Sequence, residues 1–177
     1  CGGPRDPPVA AARGPLHASS TSMTVTVIRA DASASQGTGH LMRCLALAHA
    51  LDGLDARSVL AVAECPLPLL ERLRSEGVAV VEIDAEAGTA ADVAATLELA
   101  REEGAAWVML DGYRFTVAVQ RALRAGGVKV GMIDDFAHLE AYEVDLLLNQ
   151  NSQASAADYP GVPTLLLGPA HALLRPE

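Results

Sequence analysis

Seven short, nearly continuous apolar runs recur along this chain, at residues 24–28, 59–63, 78–83, 108–111, 128–133, 144–148 and 164–167. A run of that length without polar alternation suits a strand covered on both faces, as in a parallel sheet. Helical patterns lie between the runs. Residues 41–51 carry Leu41, Cys44, Leu45, Leu47, Ala48 and Leu51. Residues 89–103 repeat Val93, Leu97 and Ala100 before Gly104, and residues 116–125 repeat Val117, Val119 and Leu123 before Gly126-Gly127. Glycines in those places are expected C-caps. The alternation predicts an α/β fold: a doubly wound, mostly parallel Rossmann-like sheet with right-handed crossovers. Residues 149–163 are the only long loop, and no internal repeat is present.

Open α/β sheets bind ligands at the carboxyl ends of their strands. The first such end here is glycine-rich, since Gly37-Thr38-Gly39-His40 links the run at 24–28 to the helical pattern at 41–51. Gly37 and Gly39 can take backbone angles closed to other residues, and the unpaired amides of a helix start favour a phosphate or a polar sugar face. Gly37, Thr38 and Gly39 are therefore candidate substrate contacts. A P-loop is excluded, because Met42, Arg43 and Cys44 stand where it needs Gly-Lys-Ser or Gly-Lys-Thr. A dinucleotide fingerprint fits poorly: Met42 replaces its third small residue, and only Glu64 follows the second strand.

Half of the 177 residues are hydrophobic, enough for one domain of ordinary size, about 100–150 residues. A net charge of −9 argues against nucleic acid or an anionic membrane as partner. No apolar run approaches the roughly 20 residues needed to span a bilayer. Residues 1–22 differ in character, rich in Pro, Gly, Ala and Arg without periodicity, and lack the apolar core of a signal peptide. They read as a disordered tail or upstream extension, with Met23 the expected natural start of a domain over 23–177. The rival reading makes Cys1 the lipid-bearing residue of a processed lipoprotein. Cys1, Cys44 and Cys65 are too few and oddly numbered for a disulfide framework and lack metal-ligand spacing, which fits a reducing cytoplasm.

Several segments together resemble one family. Arg29-Ala30-Asp31-Ala32-Ser33, Gly37-Thr38-Gly39-His40 and Met42-Arg43-Cys44-Leu45 are similar to the opening motif of the UDP-2,4-diacetamido-2,4,6-trideoxy-β-L-altropyranose hydrolases of the pseudaminic acid pathway and of their spore-coat polysaccharide relatives. Leu110-Asp111-Gly112-Tyr113 resembles the family's strand-end Asp-x-Tyr, Ile133-Asp134-Asp135 its paired aspartates, and Asp145-Leu146-Leu147-Leu148-Asn149-Gln150-Asn151 its Asp-x-Leu-Leu-Asn-x-Asn segment. The likeness implies hydrolysis of a UDP-activated diacetamido sugar at its anomeric carbon, to UDP and free sugar. It also implies the N-terminal half of a GT-B-type two-domain architecture, the C-terminal nucleotide-binding half lying outside this sequence. In the family the histidine of the Gly-x-Gly-His motif is the general base, and a tyrosine at the place of Tyr113 lines the sugar site. Gly112 stands where some relatives carry His.

UDP is already a good leaving group, so one base that activates water can suffice. His40 is the candidate base, the alternative being a helix-start histidine that hydrogen-bonds its own loop. Asp31 closes the first strand and is a candidate to orient His40 or bind a sugar hydroxyl; an Asx-turn or cap explains it equally. Arg29 is expected to pair with Asp31 or a neighbouring carboxylate. Asp111 and Tyr113 end the fourth strand on the ligand side, where a tyrosine offers a ring for stacking and one directed hydrogen bond. Asn149 and Asn151 are candidate ligand contacts or loop formers. Asp134 and Asp135 are expected to cap a short helix over 136–140 rather than hold a metal. His49, His138 and His171 are expected at the surface, as is His17 in the tail. No metal and no cofactor are expected. The competing classes are a GT-B-type glycosyltransferase, which passes the sugar to an acceptor, and a non-catalytic truncated sugar-binding domain.

Overall fold

A computed structural model of the chain describes residues 23–33 and 37–174. All seven expected strands form, as β1 (Val25–Ala30), β2 (Arg57–Val62), β3 (Ala79–Glu82), β4 (Trp107–Asp111), β5 (Lys129–Ile133), β6 (Leu146–Asn149) and β7 (Leu165–Leu167). They make one parallel sheet in the order β3-β2-β1-β4-β5-β6-β7. The order reverses direction at β1, whose neighbours are β2 and β4. That is the switch point where such sheets open a crevice beyond the strand ends.

Helices cover both faces. Side chains alternate across a strand, and on β1 Ile28 and Ala30 join a cluster with Leu41, Cys44 and Leu45 of α1 (Gly39–Asp52) and Leu70 and Leu73 of α2 (Leu67–Ser75). Val27 faces the other way, into a cluster with Leu99 of α3 (Ala90–Glu102) and Val119 and Leu123 of α4 (Val117–Ala125). The sheet is therefore doubly wound. The helix boundaries follow local chemistry. Thr89 caps α3 by accepting from the Asp92 amide, and Gly126 and Gly127 end α4. Gly88 before α3 has φ +81°, and a Cβ there would lie 2.4 Å from the Arg114 carbonyl oxygen, so only glycine fits.

One expected element does not form. Residues 136–140 are not helical. Asp134 Oδ2 does take the Ala137 amide at 2.7 Å, as a cap would, but Ala137 lies at φ +50° and turns the chain out of the helical path. At the opposite end of the sheet the chain's single tryptophan, Trp107, opens β4 with the Lys129 ammonium 5.3 Å from its ring centroid.

Candidate active site

The strand register brings the ends of β1, β4 and β5 level: Ala30 pairs with Asp111, and Asp111 with Ile133. Asp111, on the α1 side of the sheet, is buried and meets one face of that helix. His40, Arg43 and Cys44 are spaced i, i+3 and i+4, so they project together. His40 Nδ1 lies 2.6 Å from Asp111 Oδ1, Arg43 Nη2 is 2.5 Å from the same oxygen, and Arg43 Nε and Cys44 Sγ donate to Oδ2 at 2.6 and 3.4 Å. Arg43 Nη2 also lies 3.1 Å from His40 Nδ1, but its shorter bond is to Asp111 Oδ1; a carboxylate only accepts, so the Nδ1 facing it carries the hydrogen and Nε2 is left as the basic nitrogen.

Arg43 joins this cluster to the next strand. Its Nη1 donates to Asp135 Oδ1 at 2.7 Å, and Asp135 Oδ2 accepts from the Tyr113 hydroxyl at 3.1 Å. Burial alone would weaken the Arg43 cation; Asp111 and Asp135 outweigh it and raise its pKa. Burial first and Asp111 second push the Cys44 thiol well above its ordinary range, so it stays protonated. Burial and Asp135 likewise raise the Tyr113 phenol. Gly112 at φ +147° makes the turn that presents Tyr113, a conformation disfavoured for any residue with a side chain. Tyr113 and Phe136 are exposed by 41% and 66% and stack at 5.4 Å between centroids. Beside Phe136 a cleft of about 540 Å³ is lined by Asp135, Asn149, Asn151, Asp158 and Tyr159.

The sequence candidates separate. His40, Asp111 and Tyr113 come together, with His40 and Tyr113 rings 5.1 Å apart edge to face. Asp111 turns both oxygens to protein groups rather than outward. Asp31 does not orient His40. Its Oδ1 accepts the Ala63 and Glu64 amides at 2.6 and 2.9 Å and pairs with Arg29 Nη1 at 2.8 Å, tying the β1 and β2 ends together, and it lines a different cleft with Glu64, Asp84, Glu86 and Arg114. Gly37, Thr38 and Gly39 are exposed at the start of α1; Gly37 has φ +76° and donates its amide to the Ser33 carbonyl at 2.9 Å. Asn149 is buried, donating to the Tyr159 hydroxyl at 2.7 Å and accepting the Asn151 amide at 3.0 Å, while the Asn151 side chain donates to the Asp135 carbonyl at 2.8 Å. These bonds make both asparagines formers of the cleft wall. His17 lies outside the described residues.

Three participants were not singled out for these roles from sequence. Arg43 had a usable signal, its spacing from His40. Phe136 was read as helical and is instead the exposed partner of Tyr113. His138 is not a surface histidine, for its Nδ1 lies 2.7 Å from Asp134 Oδ1. That oxygen's mate accepts from Tyr159, Ala137 and Tyr142. Burial would raise the Asp134 pKa, but these donors outweigh it and hold it below the usual carboxylate value. Burial and Asp134 together push Tyr159, despite its bond from Asn149, up to about 12. Among the described residues no group of three His, Cys, Asp or Glu could hold a metal ion, and no helix is long and apolar enough to cross a membrane.

No protein-family profile and no curated protein sequence matches the chain. Solved structures do. MurG of Acinetobacter baumannii aligns over 76% of this chain with a TM-score of 0.54 and 15% identity, and a glycosyltransferase of Rickettsia africae ESF-5 over 63% with a TM-score of 0.49 and 10% identity. The chain spans 44% of the length of that MurG and 30% of that of the Rickettsia enzyme. The second likeness is too slight to carry weight. At 15% identity the first is a likeness of fold alone: an α/β Rossmann-like parallel sheet that resembles the N-terminal GT-B domain of glycosyltransferases such as MurG.

Proposed function

We propose that this chain is the sugar-facing N-terminal half of a GT-B-type enzyme acting on a nucleotide-activated sugar, with His40 as the base that deprotonates the attacking hydroxyl. The observation that carries the reading is the contact between His40 Nδ1 and the buried Asp111 carboxylate, 2.6 Å long, at the ligand end of the sheet. Nε2 takes the proton while the oxygen bonds to the anomeric carbon and the bond from that carbon to the diphosphate oxygen breaks. Asp111 stabilises the resulting imidazolium, and Arg43 keeps Asp111 from swinging away. Tyr113 and Phe136 offer aromatic faces to the sugar.

The attacking hydroxyl is that of water, and the substrate a UDP-linked 2,4-diacetamido-trideoxy sugar; the support is the order and spacing of the four motifs in the sequence. The likeness to MurG favours a second reading, transfer to an acceptor hydroxyl. The two separate cleanly in an assay. The full-length encoded protein is given the UDP-diacetamido sugar alone, then with candidate acceptor glycans. UDP and free sugar without acceptor support hydrolysis, whereas UDP release that requires an acceptor moves the reading to a transferase. No release from any nucleotide sugar removes both.

A further inference from the structure

Tyr113 sits between two imidazoles. His40 meets its ring at 5.1 Å between centroids and 82°, and His138 at 5.2 Å and 85°. Each imidazole is held through Nδ1 by a buried aspartate at a strand end, His40 by Asp111 and His138 by Asp134. The Tyr113 hydroxyl is tied to Asp135, which Arg43 holds in turn. With Phe136 stacked on its ring at 5.4 Å, an exposed phenol is thus fixed from four directions.

The Asp134 bond alone does not explain an imidazole at position 138. An asparagine amide could donate to Asp134 Oδ1 as well. The second ring nitrogen, Nε2, is buried with no hydrogen-bond partner among the described residues, a desolvation cost that a smaller donor avoids. What the imidazole adds is aromatic surface, set between Tyr113 and Tyr142, the latter at 6.5 Å and 84°. We propose that His138 is a positioning residue for Tyr113: its ring, not its hydrogen bond to Asp134, holds the phenol at the angle at which the site receives its sugar. This rests on the reading of Tyr113 as a sugar contact.

Two measurements test it with the same three variants. In the full-length encoded protein, His138→Ala is expected to raise KM for the UDP-diacetamido sugar about three- to tenfold with kcat little changed, the size of one lost aromatic contact. His138→Phe, which keeps a ring and loses the Asp134 bond, restores KM. His138→Asn, which keeps a donor and loses the ring, does not. In the present chain, the side-chain order parameter of Tyr113, read by NMR on ring-labelled protein, falls in the Ala and Asn variants and holds in the Phe variant. The reverse ranking, Asn restoring and Phe failing in either measurement, makes His138 a mere donor to Asp134 and overturns the proposal. If the wild type turns over no nucleotide sugar, the functional reading fails while the NMR ranking still decides this one. If His138→Ala does not fold, the Phe and Asn variants are compared with each other.

Discussion

Two arginines lie near the strand ends on opposite faces of the sheet, and each is clamped between two aspartates. Arg29 pairs with Asp31 at 2.8 Å and Asp92 at 2.7 Å; Arg43 pairs with Asp111 at 2.5 Å and Asp135 at 2.7 Å. The ingredients are the same, but the outcomes differ. The Arg29 group is sealed, with side chains 1%, 8% and 2% exposed, and its carboxylates also gather the amides of Ala63, Glu64 and Gly88. Its ligands are three backbone amides from two loops, and its product is a fixed strand end. The Arg43 group is open at one side, where Asp135 is 17% exposed, and it takes in a histidine and a tyrosine instead of amides. A clamp that holds backbone gives shape; one that holds titratable side chains is, in the function proposed above, where chemistry takes place.

The largest effect expected is on the open clamp. His40→Asn in the full-length encoded protein should lower turnover by about two to four orders of magnitude with UDP affinity nearly unchanged, the usual cost of removing a general base. Steady-state kinetics beside UDP calorimetry checks this, and near wild-type turnover removes His40 from the mechanism. The sealed clamp should answer in stability. Asp92→Ala leaves Arg29 buried with one partner fewer and is expected to cost about 3–5 kcal/mol in urea unfolding, with kcat of the folded fraction little affected. If Asp92→Ala abolished turnover without loss of stability, the division of labour between the clamps would be wrong.

A smaller effect concerns pH. The donors around Asp134 lower its folded pKa, so its contribution to stability is fully present above the unfolded carboxylate value, about 3.9, and is lost as pH falls through the folded value. Tyr159→Phe removes one donor at 2.8 Å. It should destabilise by about 1.5–3 kcal/mol at neutral pH, and the gap from wild type should narrow on acidification below the unfolded value. A gap independent of pH would show that Tyr159 acts through packing alone. The smallest effect expected is that of chelation. Asp111 and Asp135 each face the Arg43 guanidinium, which repels a cation, so EDTA should leave activity unchanged. Loss that Mg²⁺ or Mn²⁺ restores would reopen Asp134 and Asp135 as ligands.

The sheet was legible because a strand buried on both faces must be apolar throughout, and runs such as 59–63 and 128–133 mark Arg57–Val62 and Lys129–Ile133 within two residues. The cluster at the start of α1 was half legible. His40, Arg43 and Cys44 share a helical face by spacing alone, but their common partner, Asp111, is fixed by how α1 packs on β4. The pairing of Arg29 with Asp92, 63 residues apart, left no local mark. Nor did the failure of the helix at 136–140: Asp134 is a good cap, and what overrides it is the turn at Ala137, with His138 of the segment itself and Tyr142 and Tyr159 from beyond it all bonded to Asp134.

Trp107 opens β4 four residues before Asp111, so at about 3.3 Å per residue the indole lies roughly 13 Å down the strand from the carboxylate that holds His40. It is the chain's only tryptophan. Intrinsic fluorescence excited at the indole is therefore a reporter of global unfolding that a ligand at the strand ends should barely disturb. A fluorophore replacing Phe136, by contrast, would watch the cleft. One molecule thus offers two optically separable channels, one for melting and one for occupancy.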